Sequence, residues 1–329
     1  MDPAQTERLV TSLIALLERG TAPWRRPWDA TGSGHHVNLR SGRRYRGANP
    51  ILLTLGMHLR GSLLPYWCGW GEARALGLAP RRGSQAVFVL RPQVHRRSAQ
   101  SRVEAPLDPS ASAVPNDQDA AAWVSYRPVA VFNAADLVGD ALPDLLQERA
   151  ARSVQARRAE PQRLAAAEAV LAAWPVPVTH GSDHACYLPG PDRILLPLRC
   201  AFHTPAAFYA TWAHEVIHST GHGSRLARDL SGGPNSPGYA REELVAELGS
   251  VLLGDRLEIG SDLANHASYL ASWIALLQDS PALLLQVLSE ARRAADLIAP
   301  EIPDQAASPQ TVSDQVGQAR QQDVAETAC

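Results

Sequence analysis

Apolar side chains at Leu9, Leu13, Leu16 and Leu17 are separated by Glu7, Arg8, Glu18 and Arg19, a spacing that lines one face of a helix over about residues 4–19 and leaves the other to water. Stretches at about 48–60 and 70–77 read as two further helices. Gln85-Ala86-Val87-Phe88-Val89-Leu90 has the composition of a strand. Periodicity is lost over residues 92–122, where Arg, Ser, Pro and Asp dominate, and a flexible loop is expected there. The alternation returns in Ser125 to Asn133, and because a sheet edge needs a partner this segment is expected to resume the strand pairing. Charged residues 144–162 read as a linker. After it come a helix at about 162–173, a strand pair around Ala185 to Pro197, a helix following Thr204-Pro205, an acidic helix from Tyr239 to Gly249, and two helices at about 262–278 and 281–298. Residues 303–329 are polar and lack aromatics, the composition of a disordered tail. The expected fold is α+β in two domains: an N-terminal α/β domain over 1–145, and a mainly helical domain with a small sheet over 146–302.

Composition refines this division. A chain of 329 residues that is 45% hydrophobic can bury two cores. The formal net charge of −2 hides a split, because residues 1–103 hold 16 Arg against 5 Asp plus Glu while residues 104–329 hold 15 Arg against 28. A basic N-terminal third suggests a nucleic-acid-binding module joined to something else. Cys68, Cys186, Cys200 and Cys329 lie far apart and form no CxxC pair, which argues against a disulfide framework or cysteine zinc finger and fits a reducing, cytoplasmic setting. The N-terminal amphipathic helix is too charged for a signal peptide, and no run approaches the roughly 18 apolar residues of a membrane span.

Candidate chemistry centres on His214-Glu215-Val216-Ile217-His218. Positions four apart share a helix face, so His214 and His218 can grip one metal while Glu215 projects beside it, the HExxH arrangement of metallohydrolases. Zn2+ suits such a site, with Mn2+ as an alternative, and a catalytic site takes three protein ligands and leaves one position for water. Glu215 is the candidate base for that water. The third ligand is sought in the acidic helix, where Glu243 is the choice, and Glu247, one turn on, is placed to accept a hydrogen bond from a ligating imidazole. Glu242 points about 100° away on the helical wheel and fits best as a surface carboxylate paired with Arg241. His222 falls at the wrong distance for HExxHxxGxxH, whose last position is Ser224 here. It is expected to orient a neighbour or substrate without binding metal.

Two basic, aromatic segments lie in the first domain: Trp24, Arg25 and Arg26 between two prolines with Trp28 just after, then Asn38 to Asn49, with Arg43, Tyr45 and Arg46 among turn residues. Aromatic faces on which bases stack, among arginines that neutralise phosphates, suit single-stranded nucleic acid. Trp24 and Trp28 read equally well as core anchors. No recognition helix for duplex DNA is evident.

With these motifs in view the sequence resembles the ArdC family of antirestriction proteins of conjugative plasmids and phages, related to the N-terminal part of TraC-type plasmid primases. The resemblance runs from about residue 5 to 300. It is carried by Pro23 to Trp28, Gly42 to Asn49, Tyr66-Trp67, Val131-Phe132-Asn133, Asp192-Arg193-Ile194 with Leu196-Pro197, His214 to His222 with Arg225-Leu226, Tyr239 to Glu247, and His266 to Tyr269 with Trp273. It implies an N-terminal single-stranded-DNA-binding domain, to which Trp67 is added as a DNA-facing candidate, and a C-terminal zincin-like metallopeptidase domain. A host protein such as a restriction component is the implied peptide substrate, and no membrane is involved. The alternative is a single-strand-binding protein whose metal is structural. The chain departs from the family in its Val-Ile pair within HEVIH, in Ser219, and in the segment 92–122.

Overall fold

The computed structural model describes residues 3–20, 22, 24, 34–96, 122–156, 158–234, 236–261 and 269–301. Arg25, Arg26, Trp28, Cys329, the middle of the 92–122 segment and the 303–329 tail lie outside the described residues.

The N-terminal unit begins with helix α1 (Pro3–Leu17), followed by β1 (Val37–Asn38), α2 (Asn49–Arg60), β2 (Tyr66–Cys68), α3 (Trp70–Ala75), β3 (Ala79–Pro80), β4 (Val87–Arg96), β5 (Ala122–Asn133), β6 (Leu137–Val138) and α4 (Leu142–Ala156). Four strands form a sheet in the order β1-β2-β5-β4, with β1 parallel to β2 and the other pairs antiparallel, while β3 and β6 make a two-stranded sheet. The expected pairing of the two long strands is present. It extends further than periodicity suggested, because β4 continues to Arg96 and β5 starts at Ala122, which turns both ends of the expected loop into a ribbon.

The C-terminal unit holds α5 (Glu160–Ala172), β7 (Val178–His180), β8 (Cys186–Leu188), β9 (Arg193–Leu196), α6 (Pro205–Ser219), α7 (Pro237–Leu257), α8 (Leu270–Asp279) and α9 (Leu283–Ile298). Its sheet runs β7-β9-β8, β9 being parallel to β7 and antiparallel to β8.

Helix α2 is buried on two sides. Leu53 and Met57 pack on Trp67, Val89 and Val131 of the sheet, and Gly56 permits the approach, since a Cβ there would meet Val87 Cγ2 at 2.6 Å. Its other side, with Ile51, Leu52 and Leu55, joins Val10, Leu13 and Leu17 of α1 and the buried faces of α6 to α9 in one continuous core. The two units therefore share apolar burial, and their junction is part of the hydrophobic interior.

The segment expected to be a linker is largely helix. Leu142, Leu145 and Leu146 of α4 pack against a satellite core around Leu39, Cys68 and Leu137, and the buried Arg149 guanidinium donates to the carbonyls of Leu39 and Arg40 at 2.9 and 2.8 Å. Charge had suggested a solvated connector, but the apolar positions sit one helical turn apart and that stripe decides the outcome. A boundary at residue 145 falls inside α4, so the connection between units shrinks to the few residues before Glu160.

Candidate metal centre

Thr204 caps α6 by accepting the Ala207 N–H at 3.1 Å, with Pro205 at the first helical position. Phe208, Trp212, Ala213, Val216 and Ile217 are buried in the core, and this fixes the rotation of the helix so that His214, Glu215 and His218 line a cavity of about 850 Å3. Ser236 caps α7 in the same way, accepting from Tyr239 N at 3.1 Å. The two helices cross closely at Gly249, where a Cβ would stand 2.7 Å from Ile217 Cγ2. That crossing brings Glu243 to the histidines.

His214 Nε2 and His218 Nε2 stand 3.1 Å apart, and each lies 3.6 Å from an oxygen of Glu243. The three donors all fall within 4.8 Å of one another. Tetrahedral ligands with bonds of about 2.0–2.1 Å are separated by roughly 3.3 Å, so the donor set and its spacing fit a divalent ion. Two imidazole nitrogens at contact distance beside a carboxylate is an arrangement that calls for a cation. Burial disfavours a charged His218, yet the Glu242 hydrogen bond and the carboxylates of Glu243, Glu242 and Glu215 outweigh it and hold its pKa up at about 9. Burial pushes Glu243 up, but the His214 hydrogen bond and the positive field of both histidines bring it down to about 2. Glu215 is buried, and that burial raises its pKa against the opposing pull of His214 and His218, while the Tyr187 backbone N–H donates to it.

At His218 the carboxylate partner is Glu242. His218 Nδ1 is 3.1 Å from Glu242 Oε1, and Arg228 grips that carboxylate with two nitrogens at 2.7 and 2.8 Å. Glu242, expected at the surface, is only 6% exposed, because α7 packs on α6 on one side and on α9 on the other and has little solvent face along its middle. Glu247 instead accepts the Trp24 indole N–H at 2.9 Å while lining the cavity floor. His222 turns back on its own loop, its Nδ1 2.7 Å from Ser224 Oγ, and does not line the cavity. His222 therefore contacts a neighbour, Ser224, and stands outside the group of His214, His218 and Glu243.

Sequence reasoning also missed Tyr239 and Tyr269, whose hydroxyls lie 3.3 Å apart in the cavity wall, and the tie between the β8–β9 hairpin and the end of α6. Arg225 donates to Asp192 at 3.0 Å, to the Tyr187 hydroxyl at 3.2 Å and to the Ser219 carbonyl at 2.7 Å. Spacing along the chain gives no signal for groups brought together by loops.

The nucleic-acid candidates are scattered by the fold. Trp24 is 2% exposed, packed on Trp273 with ring centroids 5.7 Å apart, and Trp67 is fully buried with its N–H on His36 at 3.1 Å. Both are core anchors here, and neither face is open to a base. Asn49 is a splint between α2 and β4, its amide exchanging hydrogen bonds of 3.0 and 2.7 Å with the Leu90 backbone. Asn38 organises the following turn, accepting from Ser41 N at 2.8 Å and donating to Glu72 at 2.9 Å. Tyr45 is half-buried with its hydroxyl near Asn38 and the Trp67 carbonyl, and burial pushes its pKa up. Arg43 is exposed and Arg46 partly so. Among the described residues, the open aromatics of this unit are ones the sequence did not single out: Trp70, 57% exposed, and Tyr126, 43% exposed.

Fold and site together define a zincin-like metallopeptidase domain attached to a distinct N-terminal domain. A family model for the zincin-like metallopeptidase matches residues 165–290, and one for the N-terminal domain of the anti-restriction factor ArdC matches residues 3–132. The crystal structure of the antirestriction protein ArdC from plasmid R388, metal-free, aligns with a TM-score of 0.63 at 29% identity, covering 91% of this chain and 97% of that one; its Mn(II)-bound form aligns at 0.62. Uncharacterized protein y4eC of Sinorhizobium fredii is 30% identical over 296 residues, 88% of this chain and 90% of its own length. Two DNA primases TraC of Escherichia coli are 34% identical over 302 and 300 residues, and the chain spans only 27% and 20% of their lengths. The chain belongs to the ArdC antirestriction family.

Proposed function

We propose that the C-terminal unit is a divalent-metal peptidase and that the N-terminal unit holds single-stranded DNA, the pair serving to protect transferred DNA from host restriction. The observation that carries the reading is the convergence of His214, His218 and Glu243 with the buried Glu215 at one cavity. Zn2+ is the favoured ion for two imidazoles and a carboxylate, and the Mn(II)-bound relative supports Mn2+ as the alternative. When bound, the ion would polarise a peptide carbonyl and make water more acidic.

The chain supplies the remainder. Glu242, fixed by Arg228, accepts from His218 Nδ1 and so keeps the Nε2 lone pair turned toward His214 and Glu243. Glu215 takes the proton from the attacking water and returns it to the departing amine, and its raised pKa favours the first transfer. Cys186 and Tyr187 on β8 border the cavity beside Glu215, which offers an extended substrate a strand to lie along. A protein of the restriction apparatus is the proposed substrate class. No helix among the described residues is long and apolar enough to cross a membrane.

Elemental analysis of the purified protein should find one divalent ion per chain, and His218→Ala should bring it to background. Glu215→Gln should retain the ion and lose all peptide hydrolysis. A Gln variant as active as the parent removes Glu215 from catalysis, and a variant that hydrolyses nothing yet protects DNA fully would make the metal's role structural.

A further inference from the structure

The long ribbon of β4 and β5 carries a feature that the metal site does not use. In its register Arg91 lies directly across from Arg127. Both are exposed, and neither has a carboxylate partner among the described residues. Opposed residues on an antiparallel pair hold their Cβ atoms about 4.5–5.5 Å apart, and like charges placed so are destabilising. On the same face two residues nearer the sheet, Val89 and Val129 pack at the sheet core, so the face changes from apolar to doubly cationic where the ribbon leaves the core.

A chain gains nothing in folding from this pair, and a threonine or valine at either position would suit the ribbon better. An anion between the guanidiniums removes the repulsion, and each guanidinium presents the planar fork that matches phosphate oxygens. The two arginines border one surface groove of about 620 Å3 with Pro92, Gln93 and Pro128. On the opposite face of β5 the neighbouring Tyr126 is open to solvent, with the Arg292 guanidinium 5.5 Å from its ring centre.

We propose that Arg91 and Arg127 form a clamp for the phosphodiester backbone of single-stranded DNA, with the ribbon as the track along which the strand lies. The inference rests on the single-strand reading of the N-terminal unit and moves its location from the buried tryptophans to the β4–β5 ribbon.

The test uses the full chain, a fluorescent oligo-dT and a hairpin duplex of equal phosphate count, titrated over a salt series. Losing two phosphate contacts should reduce the slope of log affinity against log salt by about 1.4, near 0.7 per contact, so Arg91→Ala/Arg127→Ala should bind more weakly at low salt and with a flatter slope. Arg91→Lys should keep the slope. Melting of Arg91→Ala should be no lower than that of the parent, since one of two opposed charges is gone. A double variant with parental affinity and slope overturns the clamp while leaving single-strand binding elsewhere on the unit intact. A parent that binds no oligonucleotide overturns both the clamp and the reading beneath it. Equal, arginine-dependent binding of the hairpin overturns the choice of single strand, and a melting point several degrees lower in Arg91→Ala shows the pair to be structural.

Discussion

Glu242 is the residue at which chemistry and packing are hardest to separate, because its carboxylate receives both His218 and Arg228 in a buried setting. Glu242→Gln keeps the shape and removes the charge. Loss of such a partner lowers metal affinity about 10–100-fold, and competition against a chromophoric chelator should show a drop of that order with the ligands unchanged. Trp24→Phe is the matched probe of the inter-unit bond. It retains an aromatic against Trp273 and leaves Glu247 without its indole donor, a change worth about 1–3 kcal/mol for a buried acceptor. Denaturant unfolding should show that loss, and an unchanged midpoint would mean that the bond contributes nothing net. Neither role was legible in the sequence. Helical spacing identified which residues of the HEVIH helix share a face, but it could not say which neighbouring element each face of α7 would meet, and on this helix nearly every face meets protein.

At the scale of elements, two contacts hold the parts of the site in register. The first is the crossing of α6 and α7. Gly249→Ala places a Cβ 2.7 Å from Ile217 Cγ2, and overpacking of this kind destabilises by about 1–3 kcal/mol; thermal melting and metal content should fall together, because separating the helices withdraws Glu243 from the histidines. The second is the tie of the β8–β9 hairpin to the end of α6. The Arg225 guanidinium, with smaller help from Tyr187, holds the Asp192 carboxyl down at about 2 against an ordinary value of 3.8. A depressed carboxylate stabilises the fold fully above its unfolded value, and that contribution is lost as pH falls through the folded one. Asp192→Asn should therefore lower stability at neutral pH and flatten the decline between about pH 4 and 2. A variant with the parent's full acid profile would assign the acid sensitivity to other groups.

Across the whole molecule, a shared core and a buried ionic contact join the two units. His35 in the N-terminal unit lies 3.2 Å from Asp255 and 3.7 Å from Glu258. Burial alone lowers its pKa and Arg44 opposes protonation, yet the charge and hydrogen bond of Asp255, with Glu258, raise it above 6.5. Stability from this contact is complete below 6.5 and disappears as pH rises through the higher folded-state value. A unit-junction unfolding curve should thus weaken as pH rises above 6.5, and His35→Gln should remove that slope. The core makes a further demand. Val10, Leu13, Leu17 and Trp24 complete the interior of α6 to α9, so a fragment of residues 158–301 should lack a cooperative thermal transition; a fragment that melts as sharply as the full chain would show the C-terminal unit to be self-sufficient.

The amphipathic helices, the pairing of the two long strands, the shared face of His214 and His218, and the different faces of Glu243 and Glu242 followed from the chain itself. Each depends on a period of 3.6 or 2 and on side chains within a turn or two of one another, and such relations survive any arrangement of the rest. Tertiary structure alone decided the remainder. It buried Trp24 and Trp67, set Glu242 against His218 and Glu247 against Trp24, and placed Arg91 opposite Arg127. These outcomes depend on which surface meets which across 24 to 223 residues of separation, and the short strands β1, β3 and β6 exist only because distant partners supply their hydrogen bonds. A local pattern records how much of a residue is apolar; it does not record what will cover it.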